Sequence, residues 1–399
     1  MRRHTHNPAY ILAFCIILTS GILRADDNAE LIAASSRAMR AGVIRQLIAR
    51  FDALLATGNY HQVAHKQCRI FPEGKLFPYN LPAMAYCSLA ADEPDRKQHH
   101  LKHAAMLIDL AITNTAAELQ VPRGDLMSLR DYRRQGTWLG QLNLTLSVWR
   151  CAGGDGRYTK LNDHLTSLLI TAMTPLGGAP IESYPQYSWS FDTVPALLSV
   201  KLHDQQTGQH RADALVRDHI AWLKTHGSDP VTSLPLSQIR NGQRAVRHPP
   251  RGCDLSWRIA MLAQLDADYA RRLYDAYVKH FWIQRELIAG FAEWPGGRAD
   301  MDVDSGPILM GVGASATASG ISTAIAMHDN ARLMRLLGVV RNLPMMLPMV
   351  MEIDPATHRA TLPGGLPYDA ESITGLFYGD VTLFAMVTWR DWMPLKNDE

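Results

Sequence analysis

The chain has 399 residues, 47% of them hydrophobic and 20% charged, which supplies a large core and excludes a disordered chain. The formal net charge is +2; three arginines (Arg2, Arg3, Arg24) and no acid lie in the first 25 residues, so the remainder carries −1. A nearly neutral body without a basic stripe excludes nucleic acid as a partner.

The chain opens MRRHTHNPAYILAFCIILTSGILRADD, which reads as a secretory signal. Arg2 and Arg3 precede an apolar run from Ala9 to Leu23, and small Ala25 stands before the acids. The run is short for a membrane span. Phe14, before Cys15, does not fit lipoprotein cleavage. Residues 1–25 are therefore expected to be removed. Residues 26–399 then form a single periplasmic or secreted domain with no stable membrane span. Cys68, Cys87, Cys151 and Cys253 remain, an even count that allows one or two disulfides. Cys68 and Cys87 flank a loop near the amino end and are the expected pair. No CxxC is present, so no structural zinc site is expected.

Helical periodicity dominates the mature chain. Leu31, Ile32, Met39, Val43, Leu47, Ile48, Phe51 and Leu55 keep three-and-four spacing to residue 57. Further helical stretches fall at 80–91, 97–119, 132–152, 156–173, 190–204 and 209–226, then at 254–264, 266–281, 308–328, 329–342 and 370–391. Strand signals are short: 231–240, 287–294, and a hairpin over 351–362 around Asp354-Pro355. Strands never alternate regularly with helices, which disfavours a doubly wound sheet. Glycine and proline punctuate the joints evenly. About twelve helices with long loops at alternate joints predict an all-α, (α/α)6 toroid with short β-hairpin insertions and a cavity at one end.

The stretch RADMDVDSGPILMGVGASA (298–316) tests three readings. Asp300, Asp302 and Asp304 have the spacing of a calcium loop, but Ser305 and Gly311 stand where glycine and a bidentate glutamate belong, leaving only a non-standard cation site open. Gly311-x-Gly313-x-x-Ala316 matches a dinucleotide fingerprint in letters, without the strand and second strand it needs. The small residues from 311 to 326 predict a helix that neighbours approach closely. Pro307 suits its first turn, so the aspartates would sit at a helix amino terminus.

GTWLGQLNLTLSVWRCAGGDGRY (136–158) resembles the linalool dehydratase/isomerase family, with its G-x-LNL helix leading into a glycine-rich turn and a tyrosine. The resemblance continues through ESYPQYSWSFDTVPALLSVKLHDQQTG (182–208), PRGCDLSWRIAML (250–262), DADYARRLYDAYVKHF (266–281) and the small-residue helix. It implies an exported α/α barrel whose cavity holds a small alcohol, adds or removes water and shifts a double bond. It also implies rings of subunits, hence a possible homo-oligomer. The family's histidine stands here as Gln141, and its two loop cysteines as Glu182 and Phe191.

The chemistry-bearing residues precede helices. Glu182 leads an aromatic loop, Tyr184, Tyr187, Trp189 and Phe191, that ends at Asp192; Tyr187 and Trp189 suit a platform for a sugar ring or hydrocarbon. Asp192 and Asp254 equally fit helix caps. Arg251 suits a carboxylate or hydroxyl clamp, and Glu293 and Trp294 lie just before the aspartates. Glu182 or Asp192 paired with Asp302 or Asp304 would serve acid–base catalysis; Gln141, Tyr187, Trp189, Arg251, Asp254, Glu293 and Trp294 would bind substrate. His99, His100 and His103 read as a solvated helix face, and neither a metal nor another cofactor is expected. The resulting expectation is a linalool dehydratase/isomerase-like enzyme acting on a small hydroxylated substrate. The alternatives are a glycan-acting hydrolase or lyase with paired carboxylates, and a non-catalytic toroid that binds a glycan or lipid.

Overall fold

The computed structural model describes residues 29–285, 288–353, 360–363 and 365–393. The expected signal segment and the Asp354-Pro355 turn lie outside them. Among the described residues there are thirteen α-helices: α1 (Ala29–Ala56), α2 (Tyr60–Cys68), α3 (Phe77–Asp92), α4 (Lys97–Glu118), α5 (Gly136–Cys151), α6 (Thr159–Met173), α7 (Thr193–Thr207), α8 (Arg211–Thr225), α9 (Gly252–Ala263), α10 (Ala267–Phe281), α11 (Ala314–Ala326), α12 (Asn330–Val350) and α13 (Phe377–Val387). Twelve match the periodic stretches. The short α2, tucked against α1 and α13, is the addition.

Helices α3, α5, α7, α9, α11 and α13 pack each on the next, and α13 returns to α3 to close a ring. Helices α1, α4, α6, α8, α10 and α12 form the outer layer, giving the (α/α)6 toroid. The inner helices are buried nearly all round, α5 from Gly136 to Trp149, and buried polar groups on them pair with neighbouring helices, as Asn143 does with Thr166 and Ser199. Stacked rings such as Phe51 of α1 on Phe384 of α13, 5.1 Å between centroids, tie the layers together. Each such burial stabilises by roughly 1.5–3 kcal/mol. Helix α12 is long and apolar enough to cross a membrane by length and composition; it packs along α1 and α11 through Leu333, Leu336, Leu337 and Val340.

Among the described residues, strands occur only in the loops that lead into inner helices, including the α12–α13 connection. β1 (Tyr187–Trp189) pairs antiparallel with β2 (Gln238–Asn241), which pairs with β3 (Arg244–Ala245). β4 (Trp282–Gln284) pairs with β5 (Ala289–Phe291), and β6 (Ile308–Leu309) with β7 (Val312–Gly313). β8 (Glu352–Ile353), β9 (Ala360–Leu362) and β10 (Leu366–Pro367) form a further antiparallel set. The loops are also stitched by backbone bonds: Gly136 N donates to the Glu182 carbonyl at 2.9 Å, and Gly252 N to the Glu293 carbonyl at 2.8 Å. Amide groups at helix starts, which have no partner inside their own helix, are satisfied this way.

Two sequence expectations change. The helix expected from residue 308 starts at Ala314, because Met310 (φ 53°) and Gly311 (φ 87°) form a two-residue hairpin turn. Pro307 therefore precedes a hairpin instead of opening a helix, and the Pro307 and Ser305 carbonyls accept the first amides of α11. The expected Cys68–Cys87 disulfide is absent: both are free, buried thiols. Cys68 ends α2 near the phenols of Tyr60 and Tyr79, whereas Cys87 lies within α3 facing Cys151, so rigid helices hold the two sulfurs in different surroundings. Burial pushes both thiols up, which keeps them unreactive.

The small residues of α11 do allow close approach. A Cβ on Gly320 would lie 2.6 and 2.8 Å from ring carbons of Phe291, a fully buried residue. Gly320→Ala is expected to destabilise by about 1–3 kcal/mol through overpacking, read as a lower midpoint of urea unfolding.

Candidate active site

The amino ends of the six inner helices lie at one end of the toroid, and each brings a carboxyl or a hydroxyl. Glu73 stands before α3, Thr137 in the first turn of α5, Asp192 before α7, Asp254 in the first turn of α9, Asp304 ahead of α11, and Tyr378 in the first turn of α13. Glu73 lies within electrostatic reach of Asp304 and Asp192, Asp192 of Asp254 and Thr137, and Tyr378 of Glu73 and Asp304.

Glu73 is the central group. The Tyr184 hydroxyl donates to its Oε1 in a short hydrogen bond. Burial pushes the Glu73 carboxyl up to about 7; the Tyr184 bond opposes this, and the negative charges of Asp304 and Asp192 add to it. Burial likewise pushes Asp192 up to about 6 against hydrogen bonds with Ser183 and Thr137. Behind it, Asp254 forms a two-point pair with the wholly buried Arg258, one contact at 2.7 Å. Burial raises Asp254 to about 6 despite that guanidinium. The wall beside these acids is aromatic. Phe71 stacks on Tyr378 at 3.9 Å, and Trp257 sits 5.8 Å from Phe77 and 5.2 Å from Phe191.

A second cluster occupies the rim. Arg251 donates to Glu293 Oε1 at 2.6 Å and to Asp302 Oδ1 at 2.7 Å, and its third nitrogen lies 3.9 Å from Asp304. Its guanidinium stacks 4.8 Å over the Trp294 ring. Glu293, fully buried, also accepts from the Cys253 amide at 3.0 Å and the Cys253 thiol at 3.1 Å. Asp302 would be raised by burial, but the Arg251 bond and the Ser305 and Asp304 amides hold it below the usual carboxylate range. Asp304 is half exposed; the crowding of the mouth raises its carboxyl, against the pull of Arg251 and with the push of Asp302. Asp300 points outward to Arg298 at 3.7 Å, so the three aspartates do not converge.

Of the remaining expected site residues, Glu182 and Gln141 lie elsewhere, while Tyr187 and Trp189 adjoin the mouth. Glu182 is bracketed by Arg240 at 2.8 Å and Arg134 at 3.3 Å, and it lines a side cavity of about 490 Å³ with Tyr132, Ser188 and Gln243. Tyr187 stacks on Trp189 at 5.8 Å, and Trp189 meets Tyr184 edge-on at 6.0 Å, so this platform adjoins the Glu73 partner. Gln141 is fully buried in the middle of α5, where its Oε1 accepts from Asn80 at 3.5 Å. Sequence reasoning overlooked Glu73, Arg258, Cys253 and Tyr378. The signal for Glu73 was an acid placed just before an inner helix, the same position that singled out Asp192 and Asp304.

The arrangement is that of an (α/α)6 toroid with a carboxylate-lined mouth, the class that fold and site geometry define. No family model matches the chain, and no curated protein does. Among solved structures, it is similar to an inactive variant of an α-1,6-mannanase from Salegentibacter sp. HEL1_6, with two successive aspartates replaced and α-1,6-mannotetrose bound. Identity is 12%, coverage is 78% of this chain and 88% of that one, and the TM-score is 0.50. The unmodified mannanase gives the same identity and coverage with a TM-score of 0.49. A D-mannose isomerase gives 13% identity over 77% of this chain and 86% of its own, with a TM-score of 0.44. The resemblance to the linalool dehydratase/isomerase family is thereby corrected, and the dehydration or isomerisation of a small alcohol falls with it. Its motifs were helix-joint patterns that a shared toroid architecture reproduces without shared chemistry.

Proposed function

We propose that the chain is a glycan-acting enzyme that cleaves a glycosidic bond by acid–base chemistry at the mouth of the toroid. One observation carries the reading: Glu73 is an acid raised to about 7 that feels two further carboxyls at this mouth, Asp304 and Asp192, the latter raised to about 6. Cleavage between sugars needs one protonated and one ionised carboxyl, and differing environments on one cleft supply both. In this reading Glu73 donates its proton to the departing glycosidic oxygen. Asp304, at the open rim, takes a proton from the attacking water. Burial keeps Glu73 protonated, with the charges of Asp304 and Asp192 adding to it, and Arg251 holds the rim loop in place. Tyr378, backed by the buried Phe71, and the Tyr187–Trp189 pair offer flat faces for sugar rings. The exported location expected from the amino-terminal segment suits a polymer substrate.

The neighbouring mannanase makes α-1,6-linked mannooligosaccharides the first substrates to try. Its two successive aspartates have no counterpart at this mouth: the only successive pair in this sequence, Asp26-Asp27, lies outside the described residues. The test is product release from a panel of α- and β-linked oligosaccharides between pH 5 and 7, with wild type beside Asp304→Asn. Turnover of at least one glycan by wild type, lost in Asp304→Asn, is the expected result. A wild type inert on the whole panel would overturn the reading.

A further inference from the structure

We propose that Asp52, His99 and His103 form a site for a divalent transition metal of the zinc class, on the outer wall and away from the mouth. His99 and His103 are four residues apart on α4, so one turn places both rings on one face. Their centroids are 4.4 Å apart. Asp52 of α1 faces them and offers one oxygen to each: Oδ2 lies 2.9 Å from His99 Nε2, and Oδ1 lies 3.0 Å from His103 Nδ1. Behind the carboxylate, the Tyr86 hydroxyl of α3 donates to Oδ1 at 2.6 Å. One ligand atom from each of the three residues lies within 4.8 Å of the others.

Ligands of a tetrahedral zinc ion, each about 2.0–2.2 Å from the metal, stand roughly 3.3 Å from one another. Both nitrogen–oxygen pairs are already near that spacing. The remaining closure falls to His99, whose side chain is 42% exposed and whose polar contact is with Asp52 itself. Two imidazoles and one carboxylate are a donor set for zinc and its neighbours, whereas calcium and magnesium want oxygen. A fourth position stays open to water. Both Asp52 oxygens face imidazole nitrogens, and the carboxylate is held in place by the Tyr86 hydroxyl. Tyr86 supplies the outer hydrogen bond that orients a metal-binding carboxylate. Such an ion would clip α1, the first described helix, to α4 and the inner ring through α3.

The experiment uses tag-free, chelator-treated protein titrated with zinc alone against a chromophoric indicator, and then thermal unfolding. Expected are one tight equivalent, a rise in Tm with zinc by mass action, and no rise with calcium or magnesium. His99→Ala, at a half-exposed position, should weaken zinc binding at least about 100-fold, and Tyr86→Phe about 10-fold. His99→Gln keeps a hydrogen-bonding group toward Asp52 and should lose zinc equally, which separates ligand loss from misfolding. The double variant His61→Ala/His65→Ala removes the other histidine pair at this spacing and should bind as wild type does. Zinc binding that survives in both His99 variants, or no uptake by wild type, overturns the proposal.

Discussion

Glu73→Gln is expected to lower kcat/KM on the glycan substrate by roughly 10²–10⁴, the range that a positioned general acid contributes. The amide keeps the size of the side chain and still meets the Tyr184 hydroxyl, so the fold should persist. The pH profile carries the sharper test. Glu73 must hold its proton to act, so wild-type activity should fall as pH rises through about 7, the value to which burial lifts it. The variant should lack that limb. Stability tracks the same proton. Between its ordinary value of 4.5 and about 7, folded Glu73 binds a proton that the unfolded chain has released. Stability therefore declines with rising pH across this window, and the decline should be smaller in Glu73→Gln. Asp192 and Asp254, raised to about 6, leave a residual slope in the variant. Unchanged activity in Glu73→Gln would remove the general acid from the proposal, and Asp192 would then be the next candidate.

Arg251→Met should produce the largest loss of stability of any rim substitution. Methionine approximates the length of the side chain but leaves Glu293, with no exposed side-chain surface, facing an apolar group. Breaking a buried pair by removing one partner costs about 3–5 kcal/mol. Burial already raises Glu293 above its ordinary 4.5, with Arg251 the first influence opposing it. Without the arginine its carboxyl rises further and takes up a proton. The deficit should therefore be greatest at neutral pH and shrink as pH falls toward 4.5, measured by urea unfolding at several pH values. Adding Glu293→Gln to Arg251→Met should restore part of the loss at neutral pH. A deficit independent of pH would mean that Arg251 matters through packing on Trp294 and not through charge.

Much of the architecture is local information. Three-and-four spacing marked the helices because a helix that packs must show an apolar face. The small-residue run predicted a close approach, realised where Gly320 meets Phe291. Its start was misjudged because proline and small residues suit a first turn and a hairpin alike. The positive φ at Met310 and Gly311 depends on how the loop closes against β5 and α11. Glu73 was overlooked for a related reason. Pro72-Glu73-Gly74 has the composition of an ordinary turn, and nothing nearby in sequence signals that Tyr184, 111 residues later, will donate to it. His99 and His103 resembled a solvated face because Asp52, 47 residues from His99, comes from another helix.

By itself the sequence determined the helical class, the toroid count, and the rule that acids and aromatics precede inner helices, since periodicity and turn chemistry act between residues close along the chain. Only the tertiary structure decided which acids are protonated and which are neutralised. Asp302 and Asp304 are near neighbours in the same loop, yet one is held low by Arg251 and its own turn amides while the other is raised. Burial and the distance to an opposite charge set that difference, and both are properties of helices brought together from across the ring.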